Sequence, residues 1–351
     1  MAVPLQTEDL PIIDISRFDA GPTERAALLS ALRDAAHGIG FFHLVGHGVS
    51  AETVREVFAL ARRFFSLPDA EKLAIEMIHS PHFRGYTRVG WERTRGNPDW
   101  REQIDIGAER TAIADGPGVP RWSRLQGPNQ WPSTLPELRP VALRWQAQTT
   151  ALLLHLVRAF ALALGQPEDV FEQICRDTPH QLLKIIRYPG RRAGRDDQGV
   201  GAHKDGGILT ALIQDDRGGL QVETASGWID VAPLAGAFVI NIGEALEMAT
   251  DGYLRATVHR VIAPPAGTDR HSIAFFLGAR LDATVPQLTL PTPLAAQARG
   301  IARDPRNPLF RQVGQNYLKG RLRSHPDVAQ RHHADLLDAF AIKPTEDSLA
   351  Y

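Results

Sequence analysis

The stretch "GVGAHKDGGILTALIQDD" (199–216) places His203 and Asp205 two residues apart, just before an apolar run. The same His-x-Asp spacing recurs in "HPD" (325–327) and "HAD" (333–335). In a strand, residues i and i+2 point to one face, whereas in a helix they lie on nearly opposite sides. One later pair falls inside a helical pattern and the other straddles a proline at a helix start. Only the first pair is therefore predicted to converge on a metal ion.

A mononuclear Fe(II) centre of the two-histidine, one-carboxylate type needs a third ligand. In the β-rich region that follows, the candidates are His259, in "ATVHRVIAP", and His271, at the start of the last strong strand. Alternation along that strand places Arg270 and Ser272 on one face and His271 on the other. A guanidinium fork beside a hydroxyl suits a carboxylate ligand, although an exposed loop arginine is the plain alternative.

Composition limits the classes of partner. The chain has 351 residues, of which 43% are hydrophobic and 23% charged, so it can bury a substantial core. Its net charge of −1 gives no electrostatic reason to expect binding to nucleic acid or to an anionic membrane. Composition therefore gives no reason to expect either of these partners, and it leaves the oligomeric state open.

Cysteine content and segment hydropathy bear on location. Cys175 is the single cysteine, which excludes an intrachain disulfide and a thiolate metal site. The N-terminal stretch lacks the pattern of a signal peptide, and "ALLLHLVRAFALALG" (151–165) is too short and too polar to cross a bilayer. These features predict a cytoplasmic protein.

Three regions differ in sequence texture. Residues 1–178 are mostly helical in pattern, with short strand-like runs at 11–16 and 40–48. Residues 179–282 hold many short β-rich runs separated by turns, which is typical of an antiparallel sandwich or jelly roll. Residues 283–351 read as a proline-rich connector, helices and a tail. We expect one integrated unit, a mainly β core with flanking helices.

The ordered set His203-x-Asp205, His259 and Arg270-x-Ser272 resembles the Fe(II)/2-oxoglutarate-dependent dioxygenases, in their isopenicillin N synthase-like branch. That branch includes plant flavonoid and gibberellin oxidases and the bacterial ethylene-forming enzyme. The segments "LPIIDIS", "GFFHLVGHGV" and "FFSLPDAEKL" are also similar to the N-terminal region of this family. The resemblance covers about residues 8–282.

The resemblance implies a double-stranded β-helix (jelly roll) and a set of roles. It implies that His203, Asp205 and His259 hold Fe(II), and that Arg270 and Ser272 bind the distal carboxylate of 2-oxoglutarate. It also implies that Tyr188, in the "YP" position, touches this cosubstrate. With O2, 2-oxoglutarate would be decarboxylated to succinate and CO2 while a small molecule is hydroxylated, desaturated or cyclised, with ascorbate as a candidate reductant.

Three alternatives stay open at this point. An oxidase of the same fold that does not use 2-oxoglutarate, as in isopenicillin N synthase, would carry the same Arg-x-Ser pair. An ethylene-forming variant is a special case of the leading hypothesis. A non-catalytic binding protein that has kept the fold is a more distant alternative.

Other residues receive weaker predictions. "RGYTRVGWERTRGNPDWREQIDIG" (84–107) occupies the substrate-facing segment of the family, so its arginines are candidates for binding an acidic substrate, with solvated surface as the alternative. Phe276 shares the Arg270 face and is a candidate for lining the pocket. Asn241 is expected near the iron, whereas the closely spaced histidines of 43–47 are expected to be structural. The candidate arginines are Arg84, Arg88 and Arg101.

Two positions depart from the family pattern. Lys204 stands in the middle of His-x-Asp, where the family often has Thr or Ser, and alternation predicts that it points away from the metal. Ile186 stands where plant members often have Asn, which argues against carrying over a plant substrate class.

Overall fold

The computed structural model describes residues 10–192, 198–302, 307–338 and 340. The remaining residues, including the C-terminal tail predicted from the sequence, lie outside this description. In the described part of the chain, no helix has the length and apolar character needed to cross a membrane.

The strands are short and concentrate in the middle of the chain, as the turn-separated β runs predict. They are β1 (Ile12–Asp14), β2 (Phe41–Val45), β3 (Gly85–Thr87), β4 (Arg93–Thr94), β5 (Asn97–Pro98), β6 (Glu102–Gly107), β7 (His180–Tyr188), β8 (Gln198–His203), β9 (Leu209–Gln214), β10 (Leu220–Thr224), β11 (Gly227–Asp230), β12 (Phe238–Ile242), β13 (His259–Ile262) and β14 (Arg270–Gly278).

The α-helices lie mainly in the N-terminal half and near the C-terminus. They are α1 (Pro22–Gly38), α2 (Ala51–Phe65), α3 (Asp69–Leu73), α4 (Leu138–Ala163), α5 (Glu172–Cys175), α6 (Glu244–Ala249), α7 (Thr292–Ala295), α8 (Val313–Ser324), α9 (Pro326–His332) and α10 (Ala334–Leu337).

The strands form two main sheets. The larger has the order β1-β2-β12-β9-β14-β7-β6-β3, and the smaller has the order β11-β10-β13-β8. The N-terminal region therefore carries the predicted helices and, in addition, supplies four strands to the larger sheet. Every residue of β6 is buried, because its charged side chains meet partners inside the protein.

Alternation along β14 separates two cores. Ile273, Phe275 and Leu277 join the large apolar cluster that α1, α2 and α4 complete on the outer face of the larger sheet. Ala274 belongs to a second apolar cluster, and Phe276 packs against it. This second cluster takes residues from both sheets. The two sheets therefore enclose an interior, and the Arg270 face of β14 points into it.

The two later His-x-Asp pairs do not converge. Asp327 lies in the first turn of α9, directly after Pro326. His333 separates α9 from α10 rather than lying inside a helix, and its Nε2 lies 2.8 Å from the carbonyl oxygen of Pro81. Asp335 instead accepts a hydrogen bond from Arg124 at 2.8 Å. Both pairs have ordinary structural roles, as the sequence predicts.

Candidate active site

His203, Asp205 and His259 meet at one end of the smaller sheet. His203 is the last residue of β8, and its antiparallel partner in register is His259, the first residue of β13. Asp205 follows in the loop after β8, so the loop, and not strand alternation alone, turns its carboxylate toward the imidazoles. Oδ1 of Asp205 lies 3.5 Å from Nε2 of His203 and 3.7 Å from Nε2 of His259.

The imidazoles are oriented by backbone carbonyls. Nδ1 of His203 lies 2.8 Å from the oxygen of Gly201, and Nδ1 of His259 lies 3.1 Å from the oxygen of Thr257. Because a carbonyl only accepts, each Nδ1 is the protonated nitrogen, and each Nε2 offers its lone pair to the centre. Burial lowers the pKa of His259 to about 4, which keeps that ring neutral at physiological pH.

The carboxylate of Asp205 is held by its outer oxygen. Oδ2 accepts hydrogen bonds from Oγ1 of Thr210 at 2.6 Å and Nδ2 of Asn241 at 2.8 Å, which leaves Oδ1 facing the imidazoles. Burial opposes ionisation of Asp205, but the two histidines and the Thr210 hydroxyl outweigh it and hold its pKa below the ordinary value. Asn241 therefore contacts a candidate metal ligand.

This donor set fits a divalent iron ion. The three ligand atoms lie within 4.8 Å of one another, and no other group of this kind occurs in the described ranges. Two imidazoles and one carboxylate suit Fe(II) and leave further coordination positions open. His271, the other candidate for the third ligand, lies on the opposite face of β14, where its backbone N–H donates to Asp215 at 2.6 Å and its ring packs against Phe65.

Arg270 is a fully buried cation in the interior between the sheets, with 0% of its surface exposed. Its Nη1 donates to Oγ of Ser272 at 3.4 Å and its Nη2 donates to Oε1 of Gln214 at 2.8 Å. The guanidinium lies 4.8 Å from the centroid of the Tyr188 ring. Nε lacks a hydrogen-bond partner, and among the described residues no carboxylate forms an ion pair with this guanidinium.

A buried guanidinium with only neutral partners is costly unless an anion joins it. The carboxylate of a 2-oxo acid fits this requirement, and the hydroxyl of Ser272 offers a second contact. Gln214 is a contact that the sequence analysis missed. It lies opposite Ser272 in the pairing of β14 with β9, but a single glutamine in a strand carries no signal of its own.

A cavity of about 350 Å³ opens beside His203 and Asp205. Phe276 lines it, and α8 supplies another wall with Asn316, Tyr317 and Lys319. Arg270, Ser272 and Tyr188 are not among its lining residues and lie within the interior, each almost completely buried. The cavity therefore offers room for a second small molecule on the open side of the metal-ligand group.

The candidate arginines divide into two groups. Arg101 lines the cavity, but its guanidinium is paired with Glu92 at 2.8 Å and Asp99 at 3.1 Å. Arg84 is buried and turned inward, where it donates to backbone carbonyls, and Arg88 forms an ion pair with Glu76. Arg84 and Arg88 therefore do not belong to the described cavity, which corrects the prediction that they face the substrate.

A buried ion-pair network underlies one cavity wall. Glu92 contacts Lys184 at 2.7 Å in addition to Arg101, and Asp105 contacts Arg321 at 2.8 Å. Burial would raise the pKa of Glu92, but the charges of Arg101 and Lys184 outweigh burial and hold the pKa well below its usual value. The network joins the 84–107 segment to β7 and α8, so it fixes the shape of the cavity.

Two carboxylates of α6 also line the cavity. Glu247 forms an ion pair with Lys204 at 2.9 Å, so the side chain of Lys204 is directed to α6. Burial raises the pKa of Glu244 to about 7.

The histidines at 43 and 47 lie elsewhere: His43 is in β2, and Nε2 of His47 lies 2.8 Å from the oxygen of Gly236.

Known proteins are similar to this chain. Residues 179–279 match the family described as the 2OG-Fe(II) oxygenase superfamily, and residues 10–134 match the N-terminal family described as non-haem dioxygenase in morphine synthesis. The chain is 36% identical to the 2-oxoglutarate-dependent dioxygenase frbJ of Dothideomycetidae sp., over 92% of each chain. It is 35% identical to a homoarginine-6-hydroxylase of Arabidopsis thaliana, over 81% of this chain and 88% of the relative.

A solved structure shows the same fold. A full-length Neurospora crassa protein in complex with alpha-KG and thymine superimposes with a TM-score of 0.73 at 25% identity, covering 90% of this chain and 98% of the other. This likeness confirms the predicted fold class, a jelly-roll core with flanking helices. A small-molecule substrate is consistent with the family. The chain therefore belongs to the 2OG-Fe(II) oxygenase superfamily and is a non-haem oxygenase that uses Fe(II), 2-oxoglutarate and O2.

Proposed function

We propose that His203, Asp205 and His259 are the iron ligands, and that Arg270 and Ser272 bind the distal carboxylate of 2-oxoglutarate beside Tyr188. The observation that carries the cosubstrate assignment is the buried Arg270, whose described partners are all neutral. The tight His-Asp-His group carries the metal assignment.

With Fe(II) bound, the centre would supply the oxidising chemistry that couples decarboxylation of 2-oxoglutarate to oxidation of a second molecule. The residues of the chain contribute position and charge. Thr210 and Asn241 hold Asp205, the carbonyls of Gly201 and Thr257 orient the imidazoles, and Arg270 fixes one end of the 2-oxo acid. The cavity walls hold the substrate and limit access of bulk water.

The experiment is anaerobic binding of 2-oxoglutarate to the Fe(II) protein, followed by the charge-transfer absorption of the complex, and then succinate formation in air. We expect His203→Ala to abolish the absorption. We expect Arg270→Leu to raise the concentration of 2-oxoglutarate required by at least about 100-fold, since it removes a bidentate charged contact worth roughly 3 kcal/mol or more. Unchanged requirements in Arg270→Leu would show that the cosubstrate site is misassigned.

The finer identity of the substrate is also part of this proposal. The Arabidopsis relative is named a homoarginine-6-hydroxylase, which supports a small nitrogen-containing molecule of the amino-acid class. A screen for substrate-stimulated succinate formation should include L-homoarginine together with thymine, the ligand of the Neurospora structure. Substrate oxidation without any need for 2-oxoglutarate would instead favour the same-fold oxidase. A cytoplasmic location, favoured by the single buried cysteine, completes the proposal.

A further inference from the structure

Glu244 lies beside the metal-ligand loop and faces the cavity. Its backbone N–H donates to the carbonyl oxygen of Asp205 at 2.7 Å, so α6 begins directly against the loop that carries this ligand. Only a glycine fits before it, because a Cβ on Gly243 would collide with the carbonyl of Gly207. Oε2 of Glu244 lies 3.8 Å from the position that a Cβ on Gly206 would occupy. The carboxylate is therefore next to the residue that follows Asp205.

Two other carboxylates of the cavity have cationic partners. Glu92 is paired with Arg101 and Lys184, and Glu247 is paired with Lys204. For the side chain of Glu244, no hydrogen bond or ion pair within 4.0 Å occurs among the residues that the structure describes. A partly buried carboxylate without a partner is unfavourable, and a ligand that supplies a charged donor would satisfy it.

The charges of Lys204 and Lys319 act on Glu244, but both cations have other partners. Lys204 places Nζ 3.1 Å and 2.9 Å from the two carboxylate oxygens of Glu247. Lys319 donates to the carbonyl oxygen of Pro308 at 2.7 Å and lies over the ring of Phe310. Both ammonium groups are thus directed to other acceptors, and no residue in the described ranges pairs with the carboxylate of Glu244.

We propose that Glu244 binds a positively charged nitrogen group of the substrate, a guanidinium or an alkylammonium, next to the iron. The inference rests on the proposed function, because the iron position is that of the His-Asp-His group. Arg93 and Arg95 also line this cavity and are exposed.

The experiment compares two probes of the same shape and different charge, n-pentylguanidinium and n-pentylurea. Each is titrated into the anaerobic Fe(II)–2-oxoglutarate complex, and binding is followed by the change in charge-transfer absorption and by calorimetry. In the wild-type protein we expect the guanidinium to bind at least about tenfold more tightly than the urea, as for other hydrogen bonds to a charged group. Glu244→Gln, which keeps the shape and removes the charge, should abolish this preference.

Glu52→Gln, at an exposed glutamate of α2, is the charge-matched control and should keep the preference. Equal binding of both probes to the wild type, no binding of the guanidinium, or an unchanged preference in Glu244→Gln would each overturn the proposal. Failure of the proposed function is recognised separately, since the absorption of the complex would then be missing before any probe is added. Calorimetry still measures the charge preference in that case.

Discussion

Lys204 and Glu247 join the two segments that carry the proposed iron ligands. Nζ of Lys204 lies 2.9 Å from Oε2 of Glu247, and Oε1 of Glu247 accepts the backbone N–H of Ala256 at 3.1 Å. Lys204 stands between His203 and Asp205, and Ala256 lies three residues before His259. The ion pair therefore fixes the spacing between the first two ligands and the third.

Lys204→Met should weaken metal binding without touching a ligand. Residues that hydrogen-bond to a metal ligand typically change metal affinity by roughly 10- to 100-fold when they are replaced. Because Lys204 acts through Glu247 and not on a ligand side chain, we expect the metal affinity to fall by about tenfold or less. Titration with Co(II), followed by its visible absorption, measures both affinity and ligand geometry. Lys204→Arg should restore most of the affinity; an unchanged affinity in Lys204→Met would contradict the role.

Asn241→Leu should have a larger effect on metal affinity. The substitution removes the hydrogen bond from Asn241 to Oδ2 of Asp205 and leaves only the one from Thr210 among the described residues. We expect about a 10- to 100-fold loss of Fe(II) or Co(II) affinity. Thermal unfolding of the metal-free variant serves as the control for general destabilisation. A wild-type metal affinity in Asn241→Leu would show that the hydrogen bond from Thr210 is sufficient to hold Asp205 in place.

Arg270→Met should weaken the binding of 2-oxoglutarate with little change in the stability of the ligand-free protein. The buried guanidinium of Arg270 has neutral partners in the described structure, so its replacement by an apolar side chain of similar length should change the unfolding free energy of the ligand-free protein by no more than about 1 kcal/mol. The wild type, with metal and 2-oxoglutarate at 100 times the dissociation constant, should gain about 2.7 kcal/mol. With metal present in both samples, the variant should gain no more than about 0.4 kcal/mol from 2-oxoglutarate at that concentration, because its dissociation constant is expected to be at least about 100-fold higher. Urea denaturation with and without ligand measures both quantities, and a large loss in the ligand-free variant would count against this account.

The buried carboxylate of Glu92 should make stability depend on pH. Its pKa in the folded state is held below the ordinary 4.5, so its contribution is present above that value and is lost as the pH falls through the folded pKa. Glu92→Gln leaves Arg101 with Asp99 and Lys184 with Asp105 as their remaining carboxylate partners, so it should cost no more than about 3 kcal/mol at neutral pH, the lower end for a broken buried ion pair. We expect the difference between the two proteins to shrink on acidification below pH 4.5. A difference that is independent of pH would contradict the assignment of charge to Glu92.

Cys175 should report on unfolding. Burial leaves its side chain 3% exposed and raises its pKa to about 12, so little thiolate is present at neutral pH. Iodoacetamide should therefore label the folded protein very slowly, with a rate that rises steeply at the denaturant concentration where circular dichroism detects unfolding. Fast labelling in buffer would show that the region around α5 opens independently of the rest.

Much of the site follows from sequence because its chemistry requires fixed residue types at fixed positions. The alternation of β14 places Arg270 and Ser272 on the interior face and His271 on the outer face, as predicted. The strength of the β runs likewise predicts β7 and β9 to β14 to within a few residues, whereas β8, which ends at His203, is not among the predicted runs. These features depend on local periodicity, which a sequence displays directly.

The features that were missed depend on partners far along the chain. The strand β6 contains Glu102, Gln103 and Asp105 and does not look like a buried strand, because its burial depends on cations such as Lys184 and Arg321. Arg84 is equally polar, yet it turns inward to satisfy backbone carbonyls. A glutamate at the start of a short helix, such as Glu244, has no distinctive pattern. Only the tertiary structure shows which of these charges have partners.

The pairing of His203 with His259 also has a mechanical consequence. The two residues face each other across β8 and β13, and β8 is an edge strand of the smaller sheet. A chain with a single cysteine cannot close a loop on itself with a disulfide. A metal ion bound by both histidines would cross-link the chain in place of a disulfide. It would close the long loop between His203 and His259 and so restrict the unfolded chain. The iron would thus cross-link β8 and β13 in addition to supplying the oxidising chemistry. We expect its loss to loosen β8, at the edge of the smaller sheet, before the rest of the fold.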